Sequence, residues 1–148
     1  MIRLAEKSDE PDIRNCAERA YARYVPIIGR KPAPMIADFT TQIAAGMVYV
    51  ATDENATFLG FIVFYPKDGY FLLENVAVLP SAAGRGVGKM LISFCEKAAR
   101  QHGVAAVHLY TNAKMNDNLA MYSRLGYLKV ARRTDEGFNR VYFEKNLT

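Results

Sequence analysis

The chain has 148 residues, 51% of them apolar and 23% charged, with a formal net charge of +4. That composition suits one globular domain spanning residues 1–148, with no repeat, linker or low-complexity stretch to divide it. No apolar run approaches the roughly 20 residues of a membrane span, no basic-then-apolar leader opens the chain, and the basic residues are scattered without an aromatic stacking pattern, so neither a membrane nor a nucleic acid is an expected partner.

In chain order, Ile2–Ala5 alternates like a first strand. Ser8 or Asp9 then caps a helix with Pro11 in its first turn, and Ile13, Cys16, Ala17, Ala20, Tyr21 and Tyr24 share its apolar face. Tyr24 to Pro32 is a loop punctuated by Pro26 and Gly29. A second helix is predicted from Pro34 to Ala45, with Met35, Phe39 and Ile43 inward. Met47–Thr52 and Phe58–Tyr65 read as a hairpin turning at Glu54-Asn55, and Pro66–Gly69 leads into the strand Tyr70–Val78. A long helix from Gly86 to His102, with Val87, Met90, Leu91, Phe94, Cys95 and Ala98 inward, stops at Gly103. Val104–Thr111 is the next strand, Asn116–Leu125 a short helix, and Tyr127–Arg133 with Asn139–Lys145 a closing hairpin.

The two cysteines, Cys16 and Cys95, fall on helix stripes and read as reduced core residues of a cytoplasmic protein. His102 and His108 have no metal-ligand spacing, so no metal is expected.

The most informative segment runs from Glu74 to Leu91: an apolar strand, a break at Pro80, a glycine-dense turn and the start of a helix. Such a turn frees backbone N–H groups under the positive end of a helix dipole. Gly84, Gly86 and Gly88 remove Cβ atoms that would hold a phosphate away, and Arg85 and Lys89 add positive charge. The spacing excludes two common cradles. A P-loop would need glycine at Ala83 and a hydroxyl at Met90. A dinucleotide fingerprint would need a third glycine at Lys89 or Leu91.

What remains, x-x-x-Gly-x-Gly after a strand and proline, resembles the acyl-CoA loop of the GNAT superfamily of N-acetyltransferases. That family writes Gln or Arg three residues before the first of those glycines, where this chain has Ala83. The backbone donors survive that departure; a side chain that helps order the loop does not. Downstream, Asn116 to Tyr127, with its Tyr122-x-x-Leu125-Gly126-Tyr127 ending, resembles a second segment of the same family. In many members an asparagine lies seven residues before the tyrosine, where this chain has Met115.

The resemblance implies an α/β (α+β) fold: a mixed, mainly antiparallel sheet of about seven strands flanked by about four helices, in the order βααβββαβαββ. It also implies transfer of the acetyl group of acetyl-CoA to a primary amine of a small molecule or peptide, in a ternary complex, by a monomer or homodimer. In that role Val76, Ala77 and Val78 would pair with the pantetheine amides. Ala83, Gly84, Arg85, Gly86, Val87, Gly88 and Lys89 would hold the diphosphate, with Asn112 and Asn118 as further contacts. Tyr122 would be the general acid toward the departing thiolate. Glu74, a carboxylate in an apolar strand, is the candidate base, with pairing to an arginine as its structural alternative. The loop between the first two helices would line the amine site through Tyr24, Ile28, Arg30 and Met35. Arg30 suits either an acceptor carboxylate or Glu74. The departures at Ala83 and Met115 leave a non-catalytic acyl-CoA-binding module as the competing function.

Overall fold

The computed structural model, which describes residues 1–148, threads seven strands into one sheet in the order β1-β2-β3-β4-β5-β7-β6. The strands are β1 (Ile2–Leu4), β2 (Val48–Thr52), β3 (Phe58–Lys67), β4 (Tyr70–Val78), β5 (Ala106–Asn112), β6 (Leu128–Asp135) and β7 (Phe138–Asn146). The helices are α1 (Glu10–Tyr21), α2 (Val25–Ile28), α3 (Phe39–Ala44), α4 (Val87–His102) and α5 (Asn116–Arg124). All neighbouring strands run antiparallel except β4 and β5, which are parallel. The expected order of elements is present, with one added turn of helix, α2.

Two apolar layers cover the two faces of the sheet. On one face α4 packs Val87, Leu91, Ile92, Cys95 and Ala99 against Ile62, Phe64, Leu73 and Leu109. On the other, Ile13, Cys16, Ala17 and Tyr21 of α1 and Phe39 of α3 meet Val48, Val50, Phe61 and Val63. The alternation of β2 and β3 makes this possible, because successive side chains enter opposite layers. Burying these aliphatic and aromatic groups, each worth roughly 1.5–3 kcal/mol, is the main stabilising term. Gly60 permits the tight approach of β3 to β4: a Cβ there would lie 2.6 Å from the Ala77 carbonyl oxygen.

The structure corrects several sequence expectations. The helix expected from Pro34 to Ala45 is broken: a single 3-10 turn covers Ala33–Met35, and α3 begins only at Phe39. Asp38 is the cause, since its carboxylate accepts the Thr41 N–H at 3.1 Å and starts a new helix. The expected loop after Tyr24 contains α2, closed by Gly29 at φ +91°. On α4 the inward stripe includes Ile92 and Glu96, while Met90 is 44% exposed. Phe94 sits at the margin and meets the rings of Tyr49 and Phe64. Glu96 tolerates burial because Tyr127 Oη and Lys145 Nζ donate to it at 2.9 and 3.1 Å, which ties α4 to the last strands.

Asp9 holds the N-cap position of α1, but its side chain makes no capping bond to that helix. Its carboxylate accepts the Glu6 N–H at 2.7 Å and both arms of the Arg3 guanidinium at 2.8 and 2.9 Å. Arg3 thereby holds the Asp9 carboxyl below its ordinary value. A group shifted this way stabilises the fold above its unfolded pKa, near pH 4, and loses that contribution as pH falls toward the lower folded value. Asp9→Asn is therefore expected to cost roughly 1 kcal/mol at pH 7, Arg3 being partly exposed. Urea denaturation at pH 7 and pH 3 should show the deficit shrinking in acid; an equal deficit at both would contradict the assignment.

Candidate functional site

The site begins where two strands part. β4 and β5 pair only through Phe71↔Val107, Leu72↔His108 and Leu73↔Leu109. Beyond Leu73 the two diverge, while β5 continues against β7 as far as Asn112. On its other side β4 keeps pairing with β3, but with a register shift between Val63↔Asn75 and Phe64↔Leu73 that leaves Glu74 as the extra residue. A bulge of this kind re-aims side chains. Here Glu74 reaches Tyr65 and Gln42 while its neighbour Asn75 reaches Tyr21 and the Pro34 carbonyl.

The ladder also settles which backbone groups face the gap. Leu79 N–H donates to Leu59 O at 2.9 Å. Antiparallel alternation then makes Ala77–Phe61 the next bonded pair and turns the N–H and C=O of Val76 and Val78 away from β3. Accordingly, Tyr21 Oη reaches the Val76 carbonyl at 2.9 Å from the open side. Val76 and Val78 thus present backbone to the gap, whereas Ala77, 5% exposed, is committed to β3 and the α1 layer.

A cavity of about 280 Å³ fills the gap, with Tyr21, Glu74, Asn75, Val76, Tyr110, Met115 and Tyr122 among its lining residues. Tyr122, 4% exposed, makes edge and tilted contacts with Tyr127 and Phe143. Its hydroxyl is not among the sealed side-chain atoms lacking a partner, of which Gln42 Oε1 is the one found, so it opens onto the cavity it lines. Burial pushes the phenols of Tyr122 and Tyr21 well above their ordinary value, which keeps both protonated at neutral pH.

Glu74 is held by side chains that carry no charge. Tyr65 Oη donates to its Oε1 at 2.8 Å, and Gln42 Nε2 donates to Oε2. No arginine pairs with it. A carboxylate has about four lone-pair positions, so both oxygens keep acceptor capacity toward the cavity. Gln42 lends its N–H to that carboxylate, and its own Oε1 is left buried without a donor.

Past Val76 the open edge runs through Val78 to the glycine turn, where a Cβ on Gly88 would lie 3.7 Å from Val78 Cγ2. Gly84 and Gly86 adopt φ of +78° and +76°, and a Cβ on either would meet nothing within 4 Å. Ala83 N–H donates to Pro80 O and Met90 N–H to Gly86 O, but no protein acceptor serves the N–H groups of residues 84–89 between them. That row of donors at the start of a 16-residue helix suits an anion. Arg85 and Lys89 are exposed beside it.

The remaining sequence candidates fall in different places. Asn112 lines the cavity and accepts the Lys114 N–H at 2.9 Å. Asn118 also lines it, with Nδ2 only 3.5 and 3.6 Å from Thr111 Oγ1 and Met115 Sδ. Met115, buried to 2%, fills the space where the related pattern has an asparagine. Tyr24, Ile28 and Met35 do not line the cavity; they pack into or against the α1 layer, because the 3-10 turns on either side of α2 roll them inward. Arg30 stacks over Phe138 at 3.6 Å and donates to Glu136 O at 2.7 Å, away from Glu74. Pro32, Ala33, Pro34, Ala37, Asp38 and Gln42 form the wall instead.

Besides that wall, the lining residues that sequence reasoning missed include Tyr21, Asn75, Tyr110 and Arg140. Tyr21 was hidden as one more member of an apolar stripe. Asn75, a polar residue inside a strand and next to Glu74, was a signal left unused.

The profile of the acetyltransferase (GNAT) family matches residues 12–127. The chain belongs to this family. Among curated proteins it is similar to an aminoalkylphosphonate N-acetyltransferase of Salmonella typhimurium, 36% identical over 55 residues, or 37% of this chain and 36% of that protein. It is also similar to an uncharacterised N-acetyltransferase of Bacillus subtilis, 28% identical over 86 residues, covering 54% and 58% of the two chains. The matched segments thus span from about a third to somewhat over half of those relatives. The fold is that of the PaiA N-acetyltransferase from Thermoplasma acidophilum, solved in complex with coenzyme A: TM-score 0.80, 16% identity, 99% and 98% of the two chains covered. No helix is long and apolar enough to cross a membrane, and no cluster of three or more candidate metal ligands is present.

The protonated state of Tyr122 can be checked directly. At pH 11, about one unit above the ordinary tyrosine value, the ultraviolet difference spectrum between the wild type and Tyr122→Phe should show no phenolate. A phenolate signal belonging to Tyr122 near pH 10 in the folded protein would contradict the burial argument.

Proposed function

We propose that this chain transfers the acetyl group of acetyl-CoA to a primary amine of a small molecule or peptide, both substrates being bound together. One observation carries the proposal: the cavity lined by Val76 and the protonated Tyr122 lies at one end of the open β4 edge, and that edge leads through Val78 to the unbonded backbone donors at residues 84–89. These groups fit coenzyme A. Residues 84–89 would hold its diphosphate, and Val76 and Val78 its amide-bearing arm in the manner of an added strand. Ala77 is withdrawn from that contact set, since its backbone already serves β3.

When bound, acetyl-CoA supplies an activated acetyl group as a thioester. The chain supplies positions and protons. Glu74, oriented by Tyr65 and Gln42, accepts a proton from the incoming ammonium, which is mostly protonated at neutral pH. Val76 N–H, fixed at the edge, donates to the carbonyl oxygen as negative charge gathers there. Tyr122 gives its proton to the departing sulfur and is restored by the second proton that the nitrogen loses as the amide forms. The cavity lining contains no cysteine or serine, and both thiols are fully buried, with that of Cys16 pushed up to about 12, which favours direct attack over a covalent enzyme intermediate. The name of the Salmonella relative gives one class of acceptor to test, aminoalkylphosphonates.

Turnover across amino acids, aminoalkylphosphonates, polyamines, aminoglycosides and peptides is the decisive assay. Tyr122→Phe and Glu74→Gln should each lower kcat by about 10²–10⁴-fold, with acetyl-CoA affinity nearly unchanged. Gly86→Val, which strains a residue at φ +76°, should weaken CoA binding about tenfold or more in calorimetry. Unaltered turnover in both catalytic variants would refute the role assignments. CoA binding without turnover of any amine would favour an acyl-CoA-sensing module instead.

A further inference from the structure

The wall of the cavity contributed by β7 carries a charge whose one ion-pair partner is largely exposed. Arg140 lies opposite Asn112 in the β5–β7 ladder, and its side chain is only 10% exposed. Its guanidinium stacks over Tyr110 at 4.4 Å and stands 5.6 Å from the Phe138 ring. The nearest carboxylate oxygen, Glu136 Oε2, is 3.6 Å away on a side chain 79% exposed, beyond hydrogen-bond reach. No other carboxylate pairs with it, and none of its nitrogens is sealed away from the cavity without a partner. The accessible part therefore faces the cavity that Arg140 lines. A buried cation with only one distant, exposed carboxylate beside it is costly, and aromatic faces offset only part of that cost.

The other charged groups lining the cavity define a polarity. Glu74 and Asp38 stand on the side of α3, with Arg140 and Glu136 on the β6–β7 side. Asp38 is already engaged by Thr41, and Glu136 is largely in water, so Glu74 and Arg140 are the two charges available to a small ligand. A molecule bearing an ammonium at one end and an oxyanion at the other would satisfy both. Arg30, the sequence candidate for that anion, is excluded by its stacking on Phe138 and its bond to Glu136 O.

We infer that the acceptor is a small aminoalkyl acid whose carboxylate or phosphonate is bound by Arg140 while its amine approaches Glu74. This deepens, and rests on, the amine acetylation proposed above. The fork of a guanidinium matches two oxygens of either oxyanion, which a lysine ammonium cannot do. Arg140 is thus a specificity-determining residue, and its own positive charge disfavours a second ammonium beside it.

Matched acceptors test this: β-alanine and 2-aminoethylphosphonate against propylamine, with spermidine and a short peptide alongside. CoA release is measured at saturating acetyl-CoA for the wild type, Arg140→Met and Arg140→Lys, with thermal melts confirming that each is folded. The wild type should prefer an acid over propylamine by at least about tenfold in kcat/KM, the span of a charge-assisted hydrogen bond. In Arg140→Met that ratio should collapse toward one, chiefly through KM, with partial recovery in Arg140→Lys. The carboxylate and phosphonate arms then identify the oxyanion. Equal use of acids and propylamine, preference for spermidine or the peptide, or a ratio unmoved by Arg140→Met would overturn the inference. If no amine is turned over, the acetyl-transfer proposal fails by itself. Calorimetry of 2-aminoethylphosphonate and β-alanine, wild type against Arg140→Met, still decides the anion site: heat lost in the variant supports it, and no heat in the wild type overturns it. Should Arg140→Met not fold, Arg140→Lys carries the same comparison.

Discussion

Everything at the site depends on the loss of pairing between β4 and β5 after Leu73↔Leu109. A parallel pair that continued would satisfy the backbone of Val76 and Val78 and leave no room between the strands. The parting is sustained from both sides. The bulge at Glu74 bends β4, and β7 holds β5 straight through seven consecutive pairings. Tyr21 and Tyr122 then stand at the gap from opposite layers, one from the α1 face and one from the α4 face. Unpaired edges are usually a liability. Here the edge lies inside the sheet, sheltered between two strands and two helical layers.

The same bulge couples fold to chemistry. It sets two consecutive polar side chains, Glu74 and Asn75, toward the α1–α3 side, which regular alternation would forbid. Asn75 is spent on structure, joining Tyr21 to the Pro34 carbonyl and so fixing the strap between α2 and α3. Glu74 is held only by neutral donors, which orient it without neutralising it. Rigid support of that sort is what a proton-transferring group needs, because its reach must be set before the substrate arrives.

Much of the fold was legible in the sequence because local signals agreed. The strand Tyr70–Val78 and the Gly103 stop of α4 match the structure to the residue. The break at Asp38 was missed because an N-cap inside a periodic apolar pattern competes with helix continuation, and only Thr41 reveals which prevails. The left-handed glycine turn and the place of Tyr122 on the cavity wall were legible because contiguous residues carry each motif. The amine-side wall was not. Tyr24, Ile28 and Met35 are turned inward by one-turn helices whose hand the sequence does not display, and Arg140 enters the cavity through strand order alone. A charged residue in a closing hairpin carries no local mark of what it will face across the sheet.

Residue-resolved amide hydrogen exchange, with and without coenzyme A, tests the central claim most directly. If the free edge and the glycine turn together grip the molecule, the amides of Val76, Val78 and residues 84–89 should gain protection on binding, while Asn75 and Ala77, already bonded to β3, should change little. Protection that spares residues 84–89 and the β4 edge, or that falls elsewhere on the chain, would contradict it.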